Sequence, residues 1–441
     1  MKYPLLTIYR IRSDFSKNSK NCKMNESTLS SLRGLVDRYM RNCQYKNAAF
    51  FASKLNAMGG GKNDEDVLAS ARAYFHNAQF RRALHTLRET MERKIPRHCQ
   101  LAARCMLACE ETEEALDFLN TIIPDEKAVE TLIGDEDEES ASVAASICVL
   151  KARVLELLET RKKASVWYKI ALRQDVHCFE AYDALVEKHM LYESDERTFL
   201  SEISKSHQSS SSSWLIDLYR ARMLKYNETH GNARDRFDVL ERKWNLSESS
   251  DLIAAKAEQL YAVLSHENIR THTHTNTHRY CSNKTREAYE LSMKLKDVDP
   301  VLYNTSPVSI LTLFDLNKKS ELFYLAHQLA DTNPKRPESW FAVGCYYLLI
   351  RKTSVAQSYF EKSTSVDPHF APAWIGYGNA FAAQDESDQA MAAYRTFKKE
   401  YHTVCSLNSN TPTPNRYSIQ TVSRMSRSLA LYRHGVSSNE Q

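Results

Sequence analysis

The sequence of 441 residues has little glycine and little proline, with 10 and 11 residues respectively. Average usage of roughly 7% and 5% would give about 31 glycines and 22 prolines. Strand-rich and mixed α/β proteins need many tight turns, and tight turns draw on these two residue types. The scarcity therefore argues against β-sandwiches, barrels and collagen-like chains, and it predicts helices joined by short connections.

A charge excess and long apolar runs are lacking as well. The 59 lysines and arginines nearly balance the 55 acidic residues, and a net charge of +4 is too small to indicate a nucleic-acid partner. The longest uncharged apolar run, from Trp340 to Ile350, is too short to cross a membrane. The ten cysteines include no Cys-X-X-Cys pair, which is typical of reduced intracellular thiols. We expect neither a nucleic-acid nor a membrane partner.

The sequence motifs of known chemistries are absent too. No GxGxxG, P-loop, GxSxG or HExxH motif occurs. Cys99, Cys105 and Cys109 are spaced for neither zinc nor redox chemistry, and Cys105 falls at a small-residue packing position that predicts a buried thiol. The sequence therefore predicts no catalytic residue, no cofactor and no metal site.

What the sequence does contain is a repeat of 34 residues. Prolines that follow aspartate or asparagine recur at Pro300, Pro334 and Pro368. The same interval separates five further pairs of landmarks: Trp340 and Trp374, Gly344 and Gly378, Tyr347 and Phe381, Ala356 and Ala390, and Phe360 and Tyr394. This period and this order of residue types match the tetratricopeptide repeat (TPR), a pair of helices.

The landmarks have a physical order within one repeat. Trp340, Gly344 and Tyr347 share one face of a first helix, and Ala356 and Phe360 share one face of a second helix. The small residues allow the two helices to approach closely, and the large ones fill the space beside that contact. The three prolines are expected to stop the second helices.

The same phase recurs upstream with weaker matches. We expect about eight or nine helical pairs between Leu29 and Lys399. Such pairs bury their apolar faces only by stacking on neighbours, so the predicted fold is an all-α TPR superhelical solenoid. The upstream matches are Leu32, Val36, Tyr39 and Ala48, then Val67, Ala71, Tyr74, Ala83 and Leu87, then Leu101, Cys105, Ala115 and Leu119, then Cys148, Ala152, Leu155, Ala164 and Tyr168, and finally Ala221, Leu224, Ala233 and Phe237.

Interruptions of the 34-residue pattern divide the chain into five segments. Residues 1–23 are predicted to be an irregular extension, 24–265 an N-terminal TPR array, 266–283 an insert rich in His and Thr, 284–400 a C-terminal TPR array and 401–441 an irregular tail. The acidic stretch at 134–140 is predicted to be a solvated loop, and the serines at 209–213 a linker.

Two interpretations of the insert at 266–283 are open, a zinc site and a low-complexity insert. The partner of Ala257 is expected about twelve residues later, yet Ala288 follows 31 residues on. The insert residues His272, His274, His278 and Cys281 are of types that bind zinc, but they form a single cluster without a second ligand pair. A low-complexity insert, such as a retained intron, is therefore the favoured reading.

Four positions on the first helices are candidates for lining a peptide groove. One TPR subclass binds a C-terminal carboxylate with Lys and Asn one and five residues after the tryptophan. Here those places hold Phe341 and Cys345, then Ile375 and Asn379, and only Asn379 fits. An apolar lining by these four side chains suits an extended or helical peptide, while Trp340 and Trp374 are assigned to the core.

Four stretches, at 100–119, 145–191, 321–349 and 371–394, resemble the cell-division-cycle protein sixteen family, subunit six of the anaphase-promoting complex (cyclosome). The segments WFAVGCYYL, PAWIGYGNAFA and DQAMAAY match that family at exposed as well as packing positions. The resemblance implies a non-catalytic TPR scaffold subunit of a ubiquitin ligase that supports ubiquitination of mitotic substrates, located in the nucleus and cytoplasm.

The resemblance also implies partners. These are the other subunits of the complex, a second copy bound through the N-terminal repeats, and a small accessory subunit held in the groove of the later repeats. The family's array continues beyond the point where this chain turns irregular, which predicts a truncated or mis-spliced product. A different class of function, a free-standing TPR adaptor or co-chaperone that binds peptide segments, is the alternative.

Overall fold

The computed structural model describes residues 26–59, 63–133, 138–188, 190–191, 193–206, 213–223, 230–270 and 274–401. Within these ranges the regular secondary structure consists of 22 helices, and no strand is present. The predicted all-α TPR class is confirmed. None of the described helices is both long enough and apolar enough to span a bilayer.

The chain divides into two compact units, Met1–Cys178 and Phe179–Gln441, and this border lies at neither end of the predicted insert. The first unit contains α1 (Glu26–Arg41), α2 (Tyr45–Gly59), α3 (Asp64–His76), α4 (Phe80–Glu92), α5 (Pro96–Ala108), α6 (Thr112–Ile122), α7 (Glu126–Ile133), α8 (Glu138–Leu157) and α9 (Arg161–Gln174). The second unit contains α10 (Phe179–Glu187), α11 (Glu193–Ser206), α12 (Ser213–Met223), α13 (His230–Trp244), α14 (Ser250–Arg270), α15 (His274–Val298), α16 (Pro300–Thr305), α17 (Pro307–Asp315), α18 (Lys319–Thr332), α19 (Pro337–Leu349), α20 (Thr353–Val366), α21 (Ala371–Ala383) and α22 (Ser387–Tyr401).

Successive helices pack as pairs. The described ranges contain nine such pairs, in line with the eight or nine expected: α1 with α2, α3 with α4, α5 with α6, α8 with α9, α12 with α13, α14 with α15, α17 with α18, α19 with α20 and α21 with α22. Helix α17 showed no landmark in the sequence because every residue from Val308 to Phe314 is buried, so the helix has no polar face to create a period.

One turn closes seven of the nine pairs. A residue with φ between 54° and 65° ends the first helix, and the next residue donates its N–H to the carbonyl five residues back, as Lys352 does to Tyr347 and Gln79 to Tyr74, both at 2.9 Å. This is the Schellman turn. The carbonyl of the landmark residue Tyr347 closes one of these turns. The left-handed residues are Cys43, Ala78, Glu110, Glu159, Asn317, Arg351 and Asp385, and none is glycine.

A side-chain bond fixes the connection between repeats. The indole N–H of Trp340 donates to the carbonyl of Pro334 at 2.8 Å, and that of Trp374 donates to the carbonyl of Pro368 at 2.7 Å. Both prolines follow the end of a second helix, as expected. Pro300 likewise follows the end of α15 at Val298, and it is also the first residue of α16. The same indole bond to a backbone carbonyl therefore spans the connection in both repeats.

The ring of Phe360 on α20 lies between two glycines. A Cβ atom on Gly344 of α19 would lie 2.6 Å from this ring, and one on Gly376 of α21 would lie 2.5 Å from it. Gly378 stands in the same relation to the ring of Tyr394. The sequence predicted a close helix approach at Gly344 and Gly378, but Gly376 lies outside the 34-residue pattern.

The other packing landmarks lie along the same helices. Gly344, Ala356, Phe360, Gly378, Phe381 and Ala390 are buried, Trp340, Tyr347, Trp374 and Tyr394 are partly buried, and Pro368 is exposed in a turn.

The predicted insert falls between two long helices. Helix α14 runs to Arg270 and α15 starts at His274, while the side chains of 262–284 lie outside the described residues. The zinc hypothesis for His272, His274, His278 and Cys281 therefore lies outside them too. Ala257 and Ala288 are both buried in one apolar cluster, as their predicted partnership requires. Residues 1–25, 134–137, 207–212 and 402–441 also lie outside the described ranges.

The turn predicts a stabilising substitution. Ala78 has a φ of 58°, which costs an L-residue about 1–2 kcal/mol, whereas glycine adopts it freely. We expect Ala78→Gly to raise the free energy of unfolding by about 0.5–1 kcal/mol, measured by denaturant unfolding. Ala392→Gly, at an exposed position inside α22, is the control and should lower it by about 1 kcal/mol. A loss of stability in both variants would contradict this account of the turn.

The close contact of Phe360 with Gly344 predicts that a methyl group added at Gly344 destabilises the protein. Gly344→Ala should lower the free energy of unfolding by about 1–2 kcal/mol, because overpacking against the ring outweighs the gain in helix propensity. Gly34→Ala on α1, where nothing lies within 4 Å of the new methyl group, should instead raise it by up to about 1 kcal/mol. Thermal melts of both variants measure the difference, and equal melting temperatures would disprove the close approach.

Candidate protein-binding surfaces

The four predicted groove positions lie in the core. Phe341, Cys345 and Asn379 are 0% exposed and Ile375 is 1% exposed. The reason is that α19 packs against α17, α18, α20 and α21, so a first helix is enclosed on most of its faces. The expectation that these side chains line an open groove is therefore corrected.

Asn379 has an internal partner. Its Oδ1 accepts a hydrogen bond from the Tyr394 hydroxyl at 2.7 Å, and its Nδ2 is buried without a partner. Burial raises the pKa of Tyr394 to about 12, so the hydroxyl remains a donor at neutral pH. A carboxylate clamp needs a side chain that reaches solvent, and Asn379 does not. The geometry gives no support to a carboxylate-clamp co-chaperone.

An aromatic cluster reaches the surface of α18 and α19. We define the aromatic surface as Phe323, Tyr324, His327 and Tyr346. The Phe323 ring lies 4.2 Å from His327, 5.1 Å from Tyr346 and 5.8 Å from Tyr324, measured between ring centroids. Tyr324 is 71% exposed and Phe323 36%. Exposed aromatic groups of this kind mark protein interfaces.

The rings continue from the aromatic surface toward α20. Tyr346 contacts Tyr347, which stacks on Tyr359 with ring planes 3° apart, and Tyr359 stacks on Trp340. Lys362 places its Nζ 3.2 Å from the centroid of the Trp340 ring, a cation–π contact. Contacts with these neighbours hold the exposed rings in place, so a partner would meet a preformed surface.

A second exposed apolar area lies on α2 in the first unit. We define the α2 surface as Phe50, Lys54 and Met58. Phe50 is 58% exposed and Met58 47%, and the Lys54 Nζ lies 5.4 Å from the Phe50 ring. The buried side of α2 carries Ala48, Ala49, Ala52 and Leu55, so the helix is apolar on two opposite faces. One face fills the core, and the other is exposed within the first unit.

Four of the described thiols, at Cys99, Cys105, Cys148 and Cys345, are buried and suited to packing. Cys105 and Cys148 are fully buried, and burial raises the pKa of each to about 12. The thiolate is the reactive form, so these cysteines are inert at neutral pH. Across the residues that the structure describes, no group of three or more His, Cys, Asp or Glu side chains is arranged to hold a metal ion.

Sequence reasoning missed one buried cation. Lys151 on α8 is 3% exposed; its Nζ donates to the carbonyl of Ile123 at 2.7 Å and lies 4.0 Å from the Trp167 ring. Burial lowers its pKa. The bond satisfies the carbonyl at the end of α6, so Lys151 ties two helical pairs together. No periodic signal marks a lysine that faces inward.

Comparison with known proteins identifies relatives along most of the chain. The family model described as "Anaphase-promoting complex, cyclosome, subunit 3" matches residues 41–122. The human cell division cycle protein 16 homolog is 34% identical over 382 residues, which are 83% of this chain and 58% of that protein. Anaphase-promoting complex subunit 6 of Arabidopsis thaliana is 32% identical and covers 85% of this chain, with 68% of its own length matched.

A solved structure has the same fold. The crystal structure of the "APC/C hetero-tetramer Cut9-Hcn1" superimposes with a TM-score of 0.71 at 28% identity and covers 85% of this chain and 66% of that chain. This chain spans 58% of the length of the human and mouse relatives. The similarity therefore covers most of this sequence but only part of those longer proteins.

Proposed function

Because this chain belongs to the anaphase-promoting complex subunit 6 family, we propose that it serves as a TPR scaffold subunit of that ubiquitin ligase complex. The observation that carries the proposal is the match to the plant subunit over 85% of this chain and 68% of that protein. In this role the chain supports cell-cycle-regulated ubiquitination by holding other subunits in the nucleus and cytoplasm.

The role is non-catalytic. Two of the described thiols, at Cys105 and Cys148, are buried with pKa values of about 12, too high for the thiolate that accepts ubiquitin in cysteine-dependent transfer. What the described surface offers is exposed aromatic and aliphatic groups, which suit protein contacts. In this proposal the chain positions other subunits, and those subunits carry out the transfer of ubiquitin.

The aromatic surface is the docking site for a small accessory subunit. Two observations support this assignment: the solved relative is a complex of Cut9 with Hcn1, and Tyr324 is 71% exposed. Aromatic side chains contribute much of the affinity in protein interfaces because they bury large areas at low entropic cost. An apolar segment of the accessory subunit would cover Tyr324 and Phe323.

Affinity purification from mitotic cells tests both statements. The tagged full chain should recover other subunits of the complex and a small accessory protein. Tyr324→Asp should reduce the accessory protein at least tenfold, about 1.4 kcal/mol, while the other subunits remain. Val239→Asp, at an apolar position of α13 that is 45% exposed, is the control and should change neither.

Two outcomes would count against these proposals separately. Recovery of chaperones without subunits of the complex would overturn the scaffold role. Full retention of the accessory protein by Tyr324→Asp would leave the scaffold role standing and remove the aromatic surface as its docking site.

The α2 surface is the contact between two copies of the chain. Phe50 and Met58 are exposed on one face of α2, and a hetero-tetramer built from two kinds of chain fits two copies of each. In a two-fold symmetric contact the same patch meets itself, so an apolar patch is self-complementary.

Light scattering of the full chain measures this association. The wild-type chain should give twice the mass of one 50.7 kDa chain, and Phe50→Asp should give the single mass. Leu157→Asp, at an apolar position of the first unit that is 62% exposed, should stay dimeric. A monomeric wild-type chain, or a dimeric Phe50→Asp variant, would refute the α2 contact.

A further inference from the structure

Helix α9 of the first unit carries positive charge only. Its sequence, RKKASVWYKIALRQ, has five cations and no acidic residue. The inward face holds Ala164, Tyr168 and Ala171, all buried. The cations therefore lie on the outer side, where neither the scaffold role nor the dimer contact proposed above uses them.

The exposed side of α9 is a stripe. Lys162, Val166, Lys169 and Arg173 follow one another at spacings of four, three and four residues, which places them on one face of the helix. Val166 is 51% exposed in the middle of these charges. Arg173 pairs with Glu126 of α7 at 3.0 Å. Within the described ranges, Lys162 and the adjacent Lys163 are exposed and have no acidic partner.

Other second helices show what a solvated face looks like. The exposed face of α4 mixes Arg81 and Arg88 with Glu92, and α20 exposes Glu361 beside Lys362, whereas the charged residues that α6 exposes are acidic only. Mixed signs allow ion pairs along the helix or with its neighbours. The stripe on α9 combines charges of one sign with an exposed aliphatic side chain at its centre.

The stripe works against the stability of the isolated chain. Arg161, Lys162 and Lys163 occupy the first turn of α9, at the positive end of the helix dipole, where cations are unfavourable. The Thr160 hydroxyl at the N-cap donates to the Leu155 carbonyl and does not cap the helix. Carboxylates placed over the helix would offset these unfavourable electrostatic interactions of the cations.

We propose that the stripe on α9 binds an acidic amphipathic segment of another protein, with carboxylates on Lys162 and Lys163 and an apolar side chain on Val166. The stripe is about 16 Å long, or three helical turns, which fits a short peptide segment. A nucleic acid is disfavoured because binding of single strands uses exposed aromatic rings, and Trp167 is turned toward Lys151 at 4.0 Å.

Fluorescence anisotropy with the full chain tests the proposal. The probe is a labelled 12-residue peptide of glutamate and aspartate with leucine at every fourth position. Lys162→Glu combined with Lys163→Glu should weaken binding at least tenfold and, because it relieves the first turn, raise Tm by about 2 °C. Val166→Ser should weaken binding about threefold to tenfold. Loss of binding together with a higher Tm separates a lost contact from a misfolded chain.

The matched control reverses two adjacent positive charges elsewhere. Lys335→Glu combined with Arg336→Glu changes exposed cations in the turn that precedes α19 and should leave binding unchanged. If both double variants lost peptide binding equally, the net charge of the chain would explain the loss, and the proposal would be overturned. Tighter binding of a single-stranded oligonucleotide than of the peptide would overturn it as well, as would a leucine-free peptide that binds equally well.

Discussion

The structure depends on one turn, in which a left-handed residue lets the next N–H bond to a carbonyl five residues back. This bond closes seven of the nine helical pairs in the described part of the chain and fixes how long each first helix is. The turn sets where the second helix of each of these pairs starts. The landmark residues of the two paired helices therefore lie side by side. The Trp340 and Trp374 bonds to prolines then fix the step to the next repeat. The 34-residue period consists of two helices and these two connections.

Much of this fold follows from the sequence, because both connections leave residues at fixed spacing. The spacing alone assigns Gly344 and Phe360 to one contact between paired helices, and the structure places them in contact. Helix α17 gave no signal, since a helix that is buried on every face has no polar side. The scarcity of glycine also has a reason: turns that glycine usually occupies are taken by residues such as Ala78 and Arg351.

The candidate surfaces were harder to infer than the fold. Phe341 and Cys345 were assigned to a groove by counting from Trp340, but a first helix between two layers of helices buries those places. The exposed aromatic surface is centred on Phe323 and Tyr324, which lie on a second helix. A linear pattern marks which residues share a face, yet it does not reveal which face a neighbouring repeat covers. Only the packing of several repeats decides that.

The Phe360 ring belongs to two repeats at once, since it touches Gly344 of its own repeat and Gly376 of the next. Neither α19 and α20 nor α21 and α22 can therefore open without uncovering the same ring. Part of the stability of each helical pair therefore comes from the interface with the neighbouring pair. Such an interface makes the unfolding of the two pairs cooperative. Helices α19 to α22 should consequently melt as one block, and a change in one repeat should alter the exchange of backbone amide hydrogens in the other.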